Sequence, residues 1–182
     1  MTDSLAYAFD SEDERFDLVF WGAYKIEGDT TTYYTPQGKA FSNKFRDPEN
    51  REISNHGTNT PIIRYSDVLL MAAEAINEIN NGPNNEAEGY FNQVRLRSNI
   101  SPISSGLSKD EFLKALQDER WKEFFGESIR WFDLQRWGIL KQRVEWAKSA
   151  QSITVTMPKH KYFPFPQEEV DANENLEQNE GY

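Results

Sequence analysis

Asp118–Trp137 reads DERWKEFFGESIRWFDLQRW, and the reading of this stretch decides the fold. Nowhere else in the chain are charge and aromatic bulk interleaved so densely. Glu119 and Glu123 are four apart, so on a helix they share one face. Arg120, Trp121 and Phe124 fall on neighbouring faces. Gly126 interrupts the period, and a second aromatic run follows: Trp131, Phe132 and Trp137, with Asp133 and Arg136 three apart. Trp and Phe bury large areas. Two helices meeting at Gly126 must pack these rings, so Trp121, Trp131, Phe132 and Trp137 are expected in the core. Charges beside such rings are expected to be paired, because an isolated ion in low dielectric is costly. Glu119, Arg120, Glu123, Arg130, Asp133 and Arg136 are therefore read as an ion-pair network pinning a helical hairpin. Arg120, Glu123, Arg130 and Asp133 are its expected buried part, between the third and fourth helices.

Upstream, a first strong helix is predicted from about Pro61 to Asn80. Tyr65, Val68, Leu69, Ala72, Ile76 and Ile79 have the three-four spacing of one buried face. Thr60 and Pro61 fit a cap and first turn, with a start nearer Tyr65 as the alternative. Asn81-Gly82-Pro83 stops it. Asn85–Ser98 is the second helix, with Ala87, Tyr90, Phe91 and Val94 inward. So short a break makes the two antiparallel neighbours. Ser108 and Glu111 form a capping box for the third helix, and Leu113, Leu116, Arg120 and Phe124 continue its stripe. The fourth runs from about Ser128 to Trp146, with Gly138 a weak point.

Met1–Thr60 has no sustained helical period and is punctuated by Gly and Pro. Asp17–Trp21 and Thr30–Tyr34 are β-prone and predict one weak hairpin. The acidic cluster Asp10, Glu12, Asp13, Glu14 and Asp17 lacks the glycine and the terminal glutamate of an EF-hand loop, so it reads as a solvated charge run. Beyond Ala150, Ile153–Met157 is β-prone, and Phe163-Pro164-Phe165-Pro166 must be extended because each proline biases its predecessor away from the helix. The fold class is mainly α: antiparallel helical hairpins resembling tetratricopeptide repeats, long irregular loops and at most a small β element. The expected division is 1–60, loop-rich, and 61–182, helical.

Composition excludes several functions. The chain has 182 residues, with 20 Lys and Arg against 30 Asp and Glu, a formal charge of −10. Nucleic acid needs a basic footprint, and anionic lipid is disfavoured for the same reason. There is no cysteine, so thiols say nothing of the redox compartment. No apolar run approaches a membrane span, and the first residues lack a signal peptide's basic start and apolar stretch. Glu119 and Glu123 have the spacing of a carboxylate pair, and a retaining glycosidase needs its two carboxyl groups about 5 Å apart. Arg120, Lys122 and Arg130 surround them, which accounts for them as structural charges, and no catalytic residue is assigned. His56 and His160 lack partners at ligand spacing, and no phosphate loop or nucleophile elbow is present. No metal or other cofactor is expected.

Three blocks together resemble the SusD/RagB family of surface glycan-binding lipoproteins of Bacteroidetes. Glu119–Trp137 is similar to the family's E-R-x-x-E…R-W-x-D-L-x-R-W signature. Ile62–Ala75, IIRYSDVLLMAAEA, is similar to its R-Y-x-D/E-x-x-L-x-x-A-E-A helix. Phe163–Glu169 through Asn173, Leu176, Gln178, Asn179, Gly181 and Tyr182 is similar to its terminus, with Glu174 and Glu180 standing where prolines are expected. Family members are considerably longer, so the resemblance implies a C-terminal portion. It also implies a signal peptide and a lipid anchor outside this chain, an outer-membrane, cell-surface location, and a TonB-dependent (SusC-like) transporter as partner in polysaccharide uptake. The ligand would be an oligosaccharide or other nutrient, and the tail would pack back on the helices. Sugars stack on exposed aromatics carried by loops on a rigid scaffold, which makes Trp21, Tyr24, Tyr33 and Tyr34 the ligand-binding candidates, with Lys25, Asn43 and Asn55 near them in sequence. In the family the sugar site is largely built upstream of these blocks. The alternative is a tetratricopeptide-like protein-interaction scaffold with no direct sugar contact.

Overall fold

The computed structural model describes residues 5, 8–21, 23–26, 30–33, 41–42, 44–45, 59–151 and 162–182. Tyr34, Asn43, Asn55, His56, His160 and the run Ile153–Met157 lie outside the described residues. The chain forms two compact units, Met1–Ser128 and Ile129–Tyr182. The compositional boundary at residue 60 falls inside the first.

The first unit opens with α1 (Arg15–Val19) and four short strands: β1 (Phe20–Trp21), β2 (Ala23–Ile26), β3 (Thr30–Tyr33) and β4 (Phe41–Ser42). β2 and β3 form an antiparallel hairpin with Tyr24 opposite Thr32, and β1 pairs antiparallel with β4. The run Asp17–Trp21, expected as strand, is helical as far as Val19. Phe16 and Val19, three apart on α1, join Leu5 and Phe9 in a buried cluster that Trp121 and Phe125 cover. Burial of those two side chains on one side selects the helical period over the alternating one.

Three helices follow: α2 (Tyr65–Ile79), α3 (Asn85–Arg97) and α4 (Lys109–Glu123). α2 starts at Tyr65 after an extended Arg64. It stops where Asn81 takes φ 54°, a conformation asparagine tolerates, and the Gly82 N–H bonds the Asn77 carbonyl at 3.0 Å. The Asn84 side chain then accepts from the Ala87 N–H at 2.9 Å and caps α3. Both halves of the Ser108–Glu111 capping box are formed on α4. α2 packs against both α3 and α4, with Phe91 and Phe112 tilted at 5.4 Å between centroids.

The buried face of α2 differs from the expectation. Ser66, Asp67, Leu69, Leu70, Ala73 and Asn77 are buried. Tyr65, Val68 and Ile79 are exposed, as are Ile62, Ile63 and Met71. The inner face is set by pairing as well as by grease. Asp67 meets Arg120 at 2.6 Å, and Asn77 Nδ2 donates to the Lys109 carbonyl at 3.1 Å. On α3, Ala87, Phe91 and Val94 are buried as expected, with Tyr90 half-buried.

In the second unit the fourth helix divides into α5 (Arg130–Arg136) and α6 (Leu140–Gln151). Gly138, at φ 70°, takes the left-handed position that ends α5. Its N–H bonds the Gln135 carbonyl and the Ile139 N–H bonds the Leu134 carbonyl, both at 3.0 Å, a Schellman closure. Trp131 and Phe132 are exposed, not core, while Asp133, Leu134 and Leu140 are buried. α5 is only two turns long and its buried face holds Asp133 and Leu134, so the rings of Trp131 and Phe132 fall outside it. After α7 (Gln167–Ala172) the tail folds back on the extended proline segment. Gln178 accepts from the Phe165 N–H at 2.8 Å and donates to its carbonyl at 2.9 Å. Asn179 donates to the Phe163 carbonyl at 2.6 Å. Prolines cannot supply ladder donors, and these side-chain amides take over that pairing. No helix of the described residues is long and apolar enough to cross a membrane.

Candidate functional site

One face of α4 and the turn beyond it carry Glu119, Glu123 and Glu127 at successive four-residue intervals. The first two side chains are almost fully buried, at 1% and 2% exposure. Each oxygen of both carboxylates has a cationic partner. Glu119 meets Arg15 at 2.6 Å, Arg95 at 3.4 Å and Lys122 at 3.8 Å. Glu123 meets Arg64 at 2.8 Å on one oxygen, and Arg15 at 3.0 Å and Arg97 at 2.6 Å on the other. Glu127 holds Lys44 at 2.6 Å and Arg64 at 2.8 Å. Asp13 completes the lattice, forking onto Arg15 at 2.7 and 2.9 Å. Asp13 is 3% exposed, so this member of the acidic run is no solvated charge. Phe124 lies between two guanidiniums, with Arg64 5.0 Å and Arg120 4.9 Å from its ring centroid.

The fields agree with the geometry. Burial would raise the Glu123 carboxyl, but Arg97, Arg64 and Arg15 outweigh it and hold the group below the usual carboxylate range. Burial opposes the charge on Arg15, and Asp13 and Glu119 more than restore it. At Lys44 burial prevails over Glu127 and the ammonium titrates below its ordinary value. A carboxylate held ionised by three guanidiniums is a poor proton donor or acceptor. The lattice can fix charges in place and hold the segments that carry them. Beside it lies a cavity of about 400 Å³, lined among others by Arg15, Lys44, Arg64, Arg97 and Glu127. Among the described residues no three carboxylates or imidazoles converge as metal ligands.

The expected charged residues divide between the units. Glu119, Arg120 and Glu123 belong to the first, where Arg120 bonds Asp67. Arg130, Asp133 and Arg136 belong to the second, where Arg136 bonds Asp133 at 2.9 Å and lies 4.4 Å from the Trp137 centroid. Sequence reading missed Asp13, Arg15, Lys44, Arg64, Arg95, Arg97 and Glu127. Only Glu127 had a local signal, its register with Glu119 and Glu123. Of the aromatic candidates, Trp21 sits in β1, Tyr24 in β2 and Tyr33 in β3. Tyr33 is opposite Ala23, so Tyr24 and Tyr33 occupy adjacent rungs of the hairpin.

A model of the SusD family matches residues 19–182. The chain belongs to the SusD family. SusD-like protein P25 of Formosa agariphila is 38% identical over 136 residues, covering 70% of this chain and 25% of its own length. The starch-binding protein SusD of Bacteroides thetaiotaomicron is 30% identical over 128 residues, covering 69% of this chain and 22% of its own. A solved SusD superfamily structure from Bacteroides vulgatus matches all of this chain and 44% of that one, with TM-score 0.71 and 29% identity. The chain thus spans about a quarter of the length of these curated relatives. Two SusD-type blocks supply much of the lattice: Arg64 and Asp67 come from one, Glu119, Arg120 and Glu123 from the other.

Proposed function

We propose that this chain is part of a non-catalytic oligosaccharide-binding lipoprotein at the outer-membrane surface, which passes its ligand to a SusC-like TonB-dependent transporter. The SusD-family match over residues 19–182 carries this reading, and the 30% identity to a protein named for starch binding supports the ligand class. The lattice supports the non-catalytic reading. Glu119 and Glu123 are the only carboxylates with glycosidase-like spacing that the sequence singles out, and their oxygens are engaged by guanidiniums. Within this reading Glu119, Arg120, Glu123, Arg130, Asp133 and Arg136 act as structural charges. Trp21, Tyr24, Tyr33 and Tyr34 stand as ring platforms for sugar, and 61–182 as the helical domain that supports them.

The test is a glycan array on the full-length protein, followed by calorimetry with the strongest binder. Micromolar-to-millimolar binding without release of reducing sugar is expected. Hydrolysis lost in Glu119→Gln would overturn the non-catalytic assignment. Unchanged affinity in a folded Trp21→Ala variant would remove the β1–β3 aromatics from the ligand site.

A further inference from the structure

The antiparallel pairing of α2 and α3 leaves a groove of about 300 Å³ where the start of α2 meets the end of α3. That is near the lower size bound of small-ligand sites, which combine apolar walls with a few placed polar groups. Its floor is Leu69 and Val94, 7% and 2% exposed. One wall is Tyr65. The other is Gln93 and Arg97, four apart on α3 and therefore on one face of it. Gln93 and Arg97 are both exposed.

Three features of this groove suit a ligand. Tyr65 is 72% exposed, yet its backbone is anchored from both sides. Arg64 before it is tied to Glu123 and Glu127, and Arg64 Nη1 also donates to the Ser66 hydroxyl at 2.8 Å. The ring is thus presented from a fixed point. Arg97 uses only Nη2, on Glu123 at 2.6 Å. Its other guanidinium nitrogens stay available while the contact holds the group in position. Gln93 brings a donor and an acceptor on one amide. A ring beside an amide and a positioned guanidinium suits a pyranose. Its C–H face covers the tyrosine, and its hydroxyls both accept from Arg97 and exchange bonds with Gln93.

Charge selects within that class. Arg64 and Arg97 are already matched by carboxylates, so an acidic sugar finds no unpaired cation here. The chain's charge of −10 opposes it further.

We infer that the groove between Tyr65 on α2 and Gln93 and Arg97 on α3 is a subsite for one neutral pyranose unit of a glycan. This rests on the oligosaccharide-binding reading above and adds residues that it does not name. The full-length protein is titrated calorimetrically with maltohexaose, cellohexaose, mannohexaose and a galacturonate oligomer. Tyr65→Ala, Tyr65→Phe, Gln93→Ala and Ile79→Ala variants follow, with circular dichroism confirming the fold. Tyr65→Ala is expected to weaken binding of a neutral hexaose roughly tenfold or more, as loss of an aromatic anchor does, and Gln93→Ala severalfold. Tyr65→Phe keeps the ring and should bind nearly as the parent does. Ile79→Ala, at the far end of the same exposed face, should change nothing. Equal affinity in the parent, Tyr65→Ala and Gln93→Ala overturns the subsite while leaving glycan binding intact. A parent that binds none of the four sinks both. Preference for the galacturonate oligomer overturns the neutral class.

Discussion

The two halves of Asp118–Trp137 look alike in sequence and behave differently in structure. In Asp118–Phe125, Glu119, Arg120 and Glu123 are buried and have partners distant in the chain. Glu123 alone gathers guanidiniums from 108, 59 and 26 residues away. In Arg130–Trp137 the Arg136–Asp133 pair is made within one helical turn, and Trp131 and Phe132 face solvent. Identical residue types therefore contribute on different scales. A buried charge shared by several opposite charges cannot be removed without unbalancing all of them. A pair made within one turn, whose arginine is 41% exposed, loses less when that arginine is replaced.

The sharpest way to break this contrast is Glu123→Ala. It takes a shared carboxylate from Arg15, Arg64 and Arg97, leaving Arg15 to Asp13 and Glu119 and Arg64 to Glu127. It should destabilise the first unit by up to about 3–5 kcal/mol, the usual effect of breaking a buried ion pair. Chemical denaturation of the protein would measure it, and a variant melting within a degree of the parent would refute the lattice as a source of stability. Acid offers a graded version of the same test. The Glu123 carboxyl is depressed below its ordinary value of 4.5 by Arg97, Arg64 and Arg15, against the effect of burial. Its contribution is therefore fully present above that value and is lost as pH falls through the lower folded one. Stability of the parent should drop below about pH 4.5 more steeply than that of Glu123→Gln, so the gap between the two narrows toward pH 3.

Smaller effects are expected in the second unit. Gln178→Ala removes both bonds to the Phe165 backbone and should cost about 1 kcal/mol, since solvated hydrogen bonds contribute little net. Faster amide exchange at Phe165 and Asn179 would reveal it, with α2–α4 protection unchanged. Arg136→Ala should be the mildest, roughly 1 kcal/mol or less, because the arginine end of the pair is in solvent even though Asp133 is buried. Its side chain is 41% exposed. A loss equal to that of Glu123→Ala would erase the distinction between the halves.

What the sequence made legible follows the range of the interaction concerned. The Ser108–Glu111 box, the stop at Asn81-Gly82 and the burial of Ala87, Phe91 and Val94 on α3 are set within a few residues, and each is present, while Tyr90 is only partly buried. The inner face of α2 was misread because the helix is apolar on more than one side. Tyr65, Val68 and Ile79 satisfy a helical stripe as well as Leu69, Leu70 and Ala73 do. What chooses between them is Asp67 reaching Arg120 and Asn77 reaching Lys109, tertiary facts with no periodic trace. The lattice was half legible for the same reason. Buried glutamates beside aromatics announce that partners must exist, but nothing local says that one of them is Arg15.

Arg15 also imposes an order of events during synthesis. Its carboxylate partners Glu119 and Glu123 lie 104 and 108 residues downstream. At ordinary elongation rates these leave the ribosome about 5–20 s later. Through that interval Arg15 has Asp13 for company, and Phe9, Phe16 and Val19 lack Trp121 and Phe125 as cover. The segment around α1 is consequently made well before its cover and closed late. Protease added to stalled nascent chains should cut near α1 until α4 has emerged, and should spare it afterwards.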